Sequence, residues 1–141
     1  TVIKRLKWKS PKKLALVTQT TLSSGDTQEA IKFLKAKFPG ILVYNTICQA
    51  TEERQKAVGD LAKKVEVLVV VGGKKSANTK RLWELAQNLK KTAYWIEETK
   101  ELKKEWFAKI KNVGVTAGAS TPDWVTQSVV KKLKSYSIPK V

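Results

Sequence analysis

The chain has 141 residues, 42% of them hydrophobic, enough for one compact domain or two small lobes. Its most apolar stretch, residues 65–71, contains Glu66 and falls far short of the ~20 apolar residues that span a bilayer. The basic N-terminus runs into Pro11-Lys12-Lys13 rather than the apolar core of a signal peptide, so an intracellular, cytoplasmic protein is expected. The net charge of +16 is carried mostly by lysines scattered along the length, with Arg5, Arg54 and Arg81 the only arginines. Scattered lysine without an Arg-rich run or interleaved aromatics is a solvated surface rather than a nucleic-acid signature. A single cysteine excludes an internal disulfide. The absence of histidine removes His-ligated metal sites, Ser-His triads and Cys-His pairs from within this chain.

Residues 1–13 are amphipathic and basic, ending at Pro11. Residues 14–17 form an apolar strand leading into the hydroxyl-rich loop Thr18-Gln19-Thr20-Thr21. Asp26-Thr27-Gln28-Glu29 reads as a capping box opening a helix, with Ala30, Ile31, Phe33, Leu34 and Phe38 at helical spacing. Pro39-Gly40 stops that helix and residues 41–44 resume a strand. After the loop Asn45-Thr46-Ile47-Cys48-Gln49, a second helix opens at Thr51 and sets Ala57, Val58, Leu61 and Ala62 on one face. The nearly continuous apolar run 66–71 suits a strand covered on both faces. Gly72-Gly73 turns the chain into a helix carrying Leu82, Trp83, Leu85, Ala86 and Leu89. A strand over 92–96, a helix over 102–110 and a strand over 113–115 follow. A last helix is capped by Thr121, with Pro122 at its first position and Val125, Val129, Val130 and Leu133 as its apolar stripe. Strand and helix alternate throughout, which predicts an α/β fold of repeated strand-loop-helix units forming mainly parallel small sheets. The five tryptophans are read as packing residues.

In parallel sheets ligands gather where strands end and helices begin. Four such turns here carry small polar residues: 18–24, 45–51, 72–79 and 116–121. Helix N-termini offer unpaired N–H groups and a positive dipole end, so a phosphorylated ligand fits, although Ser, Thr and Asn also serve simply as caps. Gly72-Gly73-Lys74-Lys75-Ser76 is not a P-loop, since Lys74 stands where the glycine before the Lys-Ser pair belongs. Cys48 lies just before a helix N-terminus. A thiolate there could ligate metal, but one thiolate cannot hold an iron–sulfur cluster.

Taken in order and spacing, the loops Thr18-Gln19-Thr20-Thr21-Leu22-Ser23, Asn45-Thr46-Ile47-Cys48-Gln49-Ala50-Thr51 with Arg54-Gln55, Gly72 through Ser76-Ala77-Asn78-Thr79 with Arg81-Leu82, and Val113-Gly114-Val115-Thr116-Ala117-Gly118-Ala119-Ser120 with Pro122 resemble the C-terminal portion of the LytB/IspH family of 4-hydroxy-3-methylbut-2-enyl diphosphate reductases. The resemblance implies three pseudo-symmetric α/β lobes around a [4Fe-4S] cluster held by three cysteines. Residues 1–45 would be the later part of the middle lobe, 46–121 the third lobe, and 122–141 the C-terminal helix and tail. Cys48 matches the third cluster cysteine. Ser76, Asn78 and Ser120 match residues that bind the substrate diphosphate, and Thr20 matches a threonine beside the substrate's reacting end. Ala77 stands where many members have another serine, leaving its backbone N–H to serve.

The family removes the substrate hydroxyl reductively, giving isopentenyl and dimethylallyl diphosphates in the methylerythritol phosphate pathway, with reduced ferredoxin or flavodoxin supplying electrons. The remaining cluster cysteines, the histidines and the proton-donating glutamate would come from a preceding N-terminal part or a split partner chain, so the 141 residues alone are expected to be inactive. A plastid location would follow if a transit peptide preceded that part. Two other readings stay open: a diphosphate-binding module without the cluster, and a basic RNA-associated domain. An incomplete α/β protein is also expected to leave apolar sheet exposed, and either to self-associate or to keep a compact third lobe with a loosely held region before Asn45.

Overall fold

The computed structural model describes residues 13–136. The basic segment ahead of Lys13, with Trp8 and Pro11, lies outside them. The chain divides into two compact units, one ending at Glu52 and the other beginning at Glu53.

In the first unit β1 (Ala15–Val17) and β2 (Leu42–Tyr44) pair in parallel, Ala15 against Leu42 and Val17 against Tyr44. Between them α1 (Ser24–Lys37) buries Thr27 and Leu34, and Ile41 is buried at the entry to β2. The helix starts earlier than the Asp26 capping box implies. Ser23 is its N-cap, and the Ser23 hydroxyl accepts the Asp26 N–H at 3.3 Å. Asp26 falls instead in the first turn, where a carboxylate complements the positive dipole end. One face of the small sheet carries Val17, Leu42 and Tyr44, which are 66%, 59% and 56% exposed. The division into units falls within α2 (Gln49–Ala62).

The second unit is built around β3 (Val67–Val71), the middle strand of a parallel sheet of order β4-β3-β5, with β4 spanning Thr92–Ile96 and β5 Val113–Ala117. All five β3 residues are buried. Because side chains alternate across a strand, they split between two cores. Val67, Val69 and Val71 pack with Ile96, Leu102, Phe107, Val113, Val129 and Leu133. Leu68 and Val70 pack with Val58, Ala62, Val65, Leu82 and Ala86. Thus α2 and α3 (Ala77–Asn88) cover one face, while α4 (Asp123–Ser135) and the segment after β4 cover the other. The α/β class and parallel sheets are as the alternating pattern predicts.

Three local expectations change. Residues 102–110 are not a helix: they hold one short 3-10 turn, Lys104–Phe107, preceded by another at Thr99–Glu101. The Glu101 carboxylate accepts the Glu97 and Glu98 N–H groups, Leu102 and Lys103 then run extended, and Lys109 sits at φ 67°. A left-handed residue cannot continue an α-helix. Packing fixes the segment instead, with Trp106 stacked on Tyr94 at 4.0 Å between ring centroids and Phe107 buried. The second change is at Thr121, which does not cap α4. Pro122 occupies the cap position, and the Thr121 hydroxyl turns to β3. Third, Ala57, Leu89 and Trp124 are exposed rather than packed. In α2 the covered residues follow the 58-61-62 spacing, which puts Ala57 off that face.

Gly114 in β5 lies under Leu61 of α2: a Cβ there would sit 2.7 Å from the Leu61 Cδ2 and 3.0 Å from the Leu68 Cδ2. Gly114→Ala is expected to destabilise by about 1–3 kcal/mol through this overpacking, seen as a lower urea midpoint at unchanged slope. An unchanged midpoint would mean that the α2–β5 contact is looser than described.

Candidate functional site

In the first unit the loops after β1 and β2 are stitched together. The Thr18 hydroxyl donates to Asn45 Oδ1 at 3.1 Å and accepts the Thr46 N–H at 2.8 Å, while the Thr46 hydroxyl donates to the Thr18 carbonyl. The Asn45 Oδ1 also accepts the Ile47 N–H at 3.3 Å. This stitching brings two of the expected residues together: the Cys48 N–H donates to the Thr20 carbonyl at 3.0 Å. The Cys48 carbonyl accepts the Thr51 and Glu52 N–H groups, so the cysteine stands at the start of α2, and its side chain is exposed. Thr20 is exposed as well.

The second unit gathers the others at the C-terminal ends of β3 and β5. Ser76 is the N-cap of α3: its hydroxyl accepts the Thr79 N–H at 3.2 Å and keeps its own hydrogen to donate. Ala77, exposed, is the first helical residue, so its N–H is among those without a helical partner. Asn78 is 5% exposed, yet neither its Nδ2 nor its Oδ1 has a hydrogen-bond partner among the described residues. Ser120 is exposed in the tight turn after β5, closed by Thr121 N–H to the Gly118 carbonyl at 3.0 Å.

Two threonines that the sequence reading treated only as capping or loop residues lock these pieces. The Val71 carbonyl, at the end of β3, accepts both the Gly118 N–H at 2.9 Å and the Thr121 hydroxyl at 3.1 Å. Thr79 is fully buried, and its hydroxyl fills the space where Cβ atoms on Gly72 and Gly118 would lie, 2.6 and 2.2 Å away. Gly72 also has φ +146°, a conformation L side chains rarely adopt. The two glycines therefore let the first turn of α3 come down between the strand ends, beside the turn that carries Ser120. The signal for this arrangement was in the sequence as paired glycines and threonines at the ends of neighbouring strands, but their pairing needs the sheet order.

Among the described residues no group of three or more His, Cys, Asp or Glu side chains could hold a metal ion. The donor set of this chain does not fit a complete iron–sulfur cluster, since Cys48 is its one cysteine and histidine is absent. Among the described residues no helix is long and apolar enough to cross a membrane.

The family model described as LytB protein matches residues 1–134. The 4-hydroxy-3-methylbut-2-enyl diphosphate reductase of Campylobacter lari is 49% identical over 129 residues, 92% of this chain and 46% of that protein. The protein of the same name from a Psychrobacter species is 47% identical over 136 residues, 95% of this chain and 43% of that one. A solved structure of the E-1-hydroxy-2-methyl-but-2-enyl-4-diphosphate reductase from Plasmodium falciparum superposes with a TM-score of 0.87 at 32% identity, covering 97% of this chain and 44% of its own. Another, of an (E)-4-hydroxy-3-methyl-but-2-enyl diphosphate reductase, superposes with a TM-score of 0.62 at 38% identity, covering 89% and 44%. The chain spans about half the length of the curated relatives it matches. With its family model matched over residues 1–134, nearly the whole of its length, the chain belongs to the LytB family.

Proposed function

We propose that this chain is the C-terminal, diphosphate-holding portion of a 4-hydroxy-3-methylbut-2-enyl diphosphate reductase. The observation that carries the reading is Asn78, a buried amide without a hydrogen-bond partner at a helix N-terminus. A buried amide left unsatisfied costs about 1–3 kcal/mol, so the free protein holds a donor that a ligand would satisfy. A diphosphate supplies acceptor oxygens, and negative charge is favoured at that helix end. In this reading the Asn78 Nδ2, the Ser76 hydroxyl and the Ser120 hydroxyl donate to the diphosphate, and the Ala77 N–H replaces a lost side-chain donor. Thr20 lies beside the reacting end of the substrate.

Cys48 would contribute one thiolate to a [4Fe-4S] cluster whose other ligands come from residues outside this chain, in the same protein or a partner chain. The cluster would supply the electrons of the reductive dehydroxylation to isopentenyl and dimethylallyl diphosphates. The protein's part is to hold and orient the diphosphate end. Reduced ferredoxin or flavodoxin is the electron donor this reading calls for, and the +16 charge suits an acidic carrier. The setting is cytoplasmic isoprenoid synthesis.

Asn78→Leu tests the pocket. Losing a hydrogen bond to a charged ligand should weaken pyrophosphate binding about 10- to 100-fold by calorimetry. The melting temperature should stay level or rise, because an unsatisfied buried amide is replaced by an apolar side chain. Unchanged affinity would remove Asn78 from the site. Anaerobic iron–sulfide reconstitution of the 141-residue chain should leave no cluster after desalting. A stable cluster with substrate-dependent turnover would show that no further ligands are needed.

A further inference from the structure

The loop that leads from β3 to Ser76 is fastened to β4 and the residue after it at three backbone groups. The Gly72 N–H donates to the Ile96 carbonyl at 2.9 Å, and the Gly72 carbonyl accepts the Trp95 indole N–H at 2.7 Å. Two residues on, the Lys74 N–H donates to the Glu97 carboxylate at 2.7 Å. The Lys74 ammonium folds back over the same tryptophan: it donates to the Trp95 carbonyl and lies 4.9 Å from the centroid of its ring. Glu101 approaches that ammonium at 4.0 Å.

We infer that Trp95 is a positioning residue for the anion-binding loop, and that Lys74 fastens the loop to it rather than ligating the anion. The inference rests on the diphosphate reading of Ser76 and Asn78. Gly72 has no side chain and a backbone conformation open to few other residues, so nothing intrinsic to residue 72 restrains the loop. An indole is the side chain that can do both jobs at once, donating from its edge to the Gly72 carbonyl while offering its face to a cation. A carbonyl, a ring and a carboxylate all engage Lys74, which ties its side chain down beside Trp95. The hydroxyl of Ser76 and the amide of Asn78, a few residues further, then meet the ligand from a fixed loop, so binding costs little ordering. Trp83 is a built-in control. Its ring lies 6.0 Å from Trp95, but its indole N–H goes to the Ala93 carbonyl, away from the loop.

The test compares Trp95→Phe, which keeps the ring face and removes the N–H, with Trp83→Phe, and uses Glu97→Ala as an independent cut of the same clasp at an exposed position. Amide hydrogen exchange at Gly72, Lys74 and Ser76 should quicken about tenfold in Trp95→Phe and Glu97→Ala, with β3 core amides unchanged. Pyrophosphate affinity should fall about 3- to 10-fold in both variants while Trp83→Phe matches wild type. Wild-type exchange at those three amides, or wild-type affinity in both loop variants, overturns the inference. If the wild-type chain itself fails to bind pyrophosphate, the diphosphate reading fails, and the exchange pattern still decides whether Trp95 holds the loop.

Discussion

The end of β3 is the constraint on which the second unit depends. Thr79 must bury its hydroxyl between two backbone segments that have no room for side chains, at Gly72 and Gly118. The Val71 carbonyl takes hydrogen bonds from both Gly118 and Thr121. These contacts bring the first turn of α3 and the turn after β5 side by side, and the residues proposed to hold the diphosphate sit on those two turns. Substituting either glycine would push α3 away from the sheet, so the proposed diphosphate donors are coupled directly to strand-end packing. The rigidity comes from β3, which is buried on both faces and joins two cores. A loop mounted on such a strand inherits its position.

The first unit follows another logic. Its two strands are short, and one apolar face carrying Val17, Leu42 and Tyr44 is open to solvent. Hydrogen bonds among Thr18, Asn45 and Thr46, rather than a large core, hold its loops and set Thr20 beside Cys48. An exposed thiol at the start of a helix suits a ligand shared with groups from elsewhere, and a chain with one cysteine and no histidine can contribute no more than one corner of a cluster. In the proposed reading the labour divides: one unit would present a single metal ligand, while the other would supply donors for an anion.

Much of the fold was legible because its signals are periodic. The run Val67–Val71 could only be a strand covered on both sides, and Leu82 with Ala86 could only be the inner face of a helix. The polar loops at strand ends, where the proposed ligand residues lie, are legible from the apolar runs that bracket them. Where expectation failed, side-chain contacts, some local and some distant in sequence, overrode helical spacing. Residues 102–110 have helical spacing, but Glu101 capping backbone N–H groups and Trp106 stacking on Tyr94 hold them in an irregular path. Thr121 precedes a proline at a helix start and looks like a cap, yet β3 offers its hydroxyl a buried carbonyl 50 residues away in sequence. The unsatisfied amide of Asn78 and the Trp95 bond to Gly72 were invisible to sequence reasoning because both depend on sheet order.

The central claim is that the first turn of α3 and the turn after β5 bind a diphosphate together. Titrating the 15N-labelled chain with 4-hydroxy-3-methylbut-2-enyl diphosphate, and following the Asn78 side-chain NH2 resonances by NMR, tests it most directly. Saturable shifts of those protons, together with the backbone amides of residues 76–79 and 118–121, are the predicted result. Shifts spread over the lysine-rich surface, abolished by moderate salt and leaving the Asn78 amide unmoved, would contradict it.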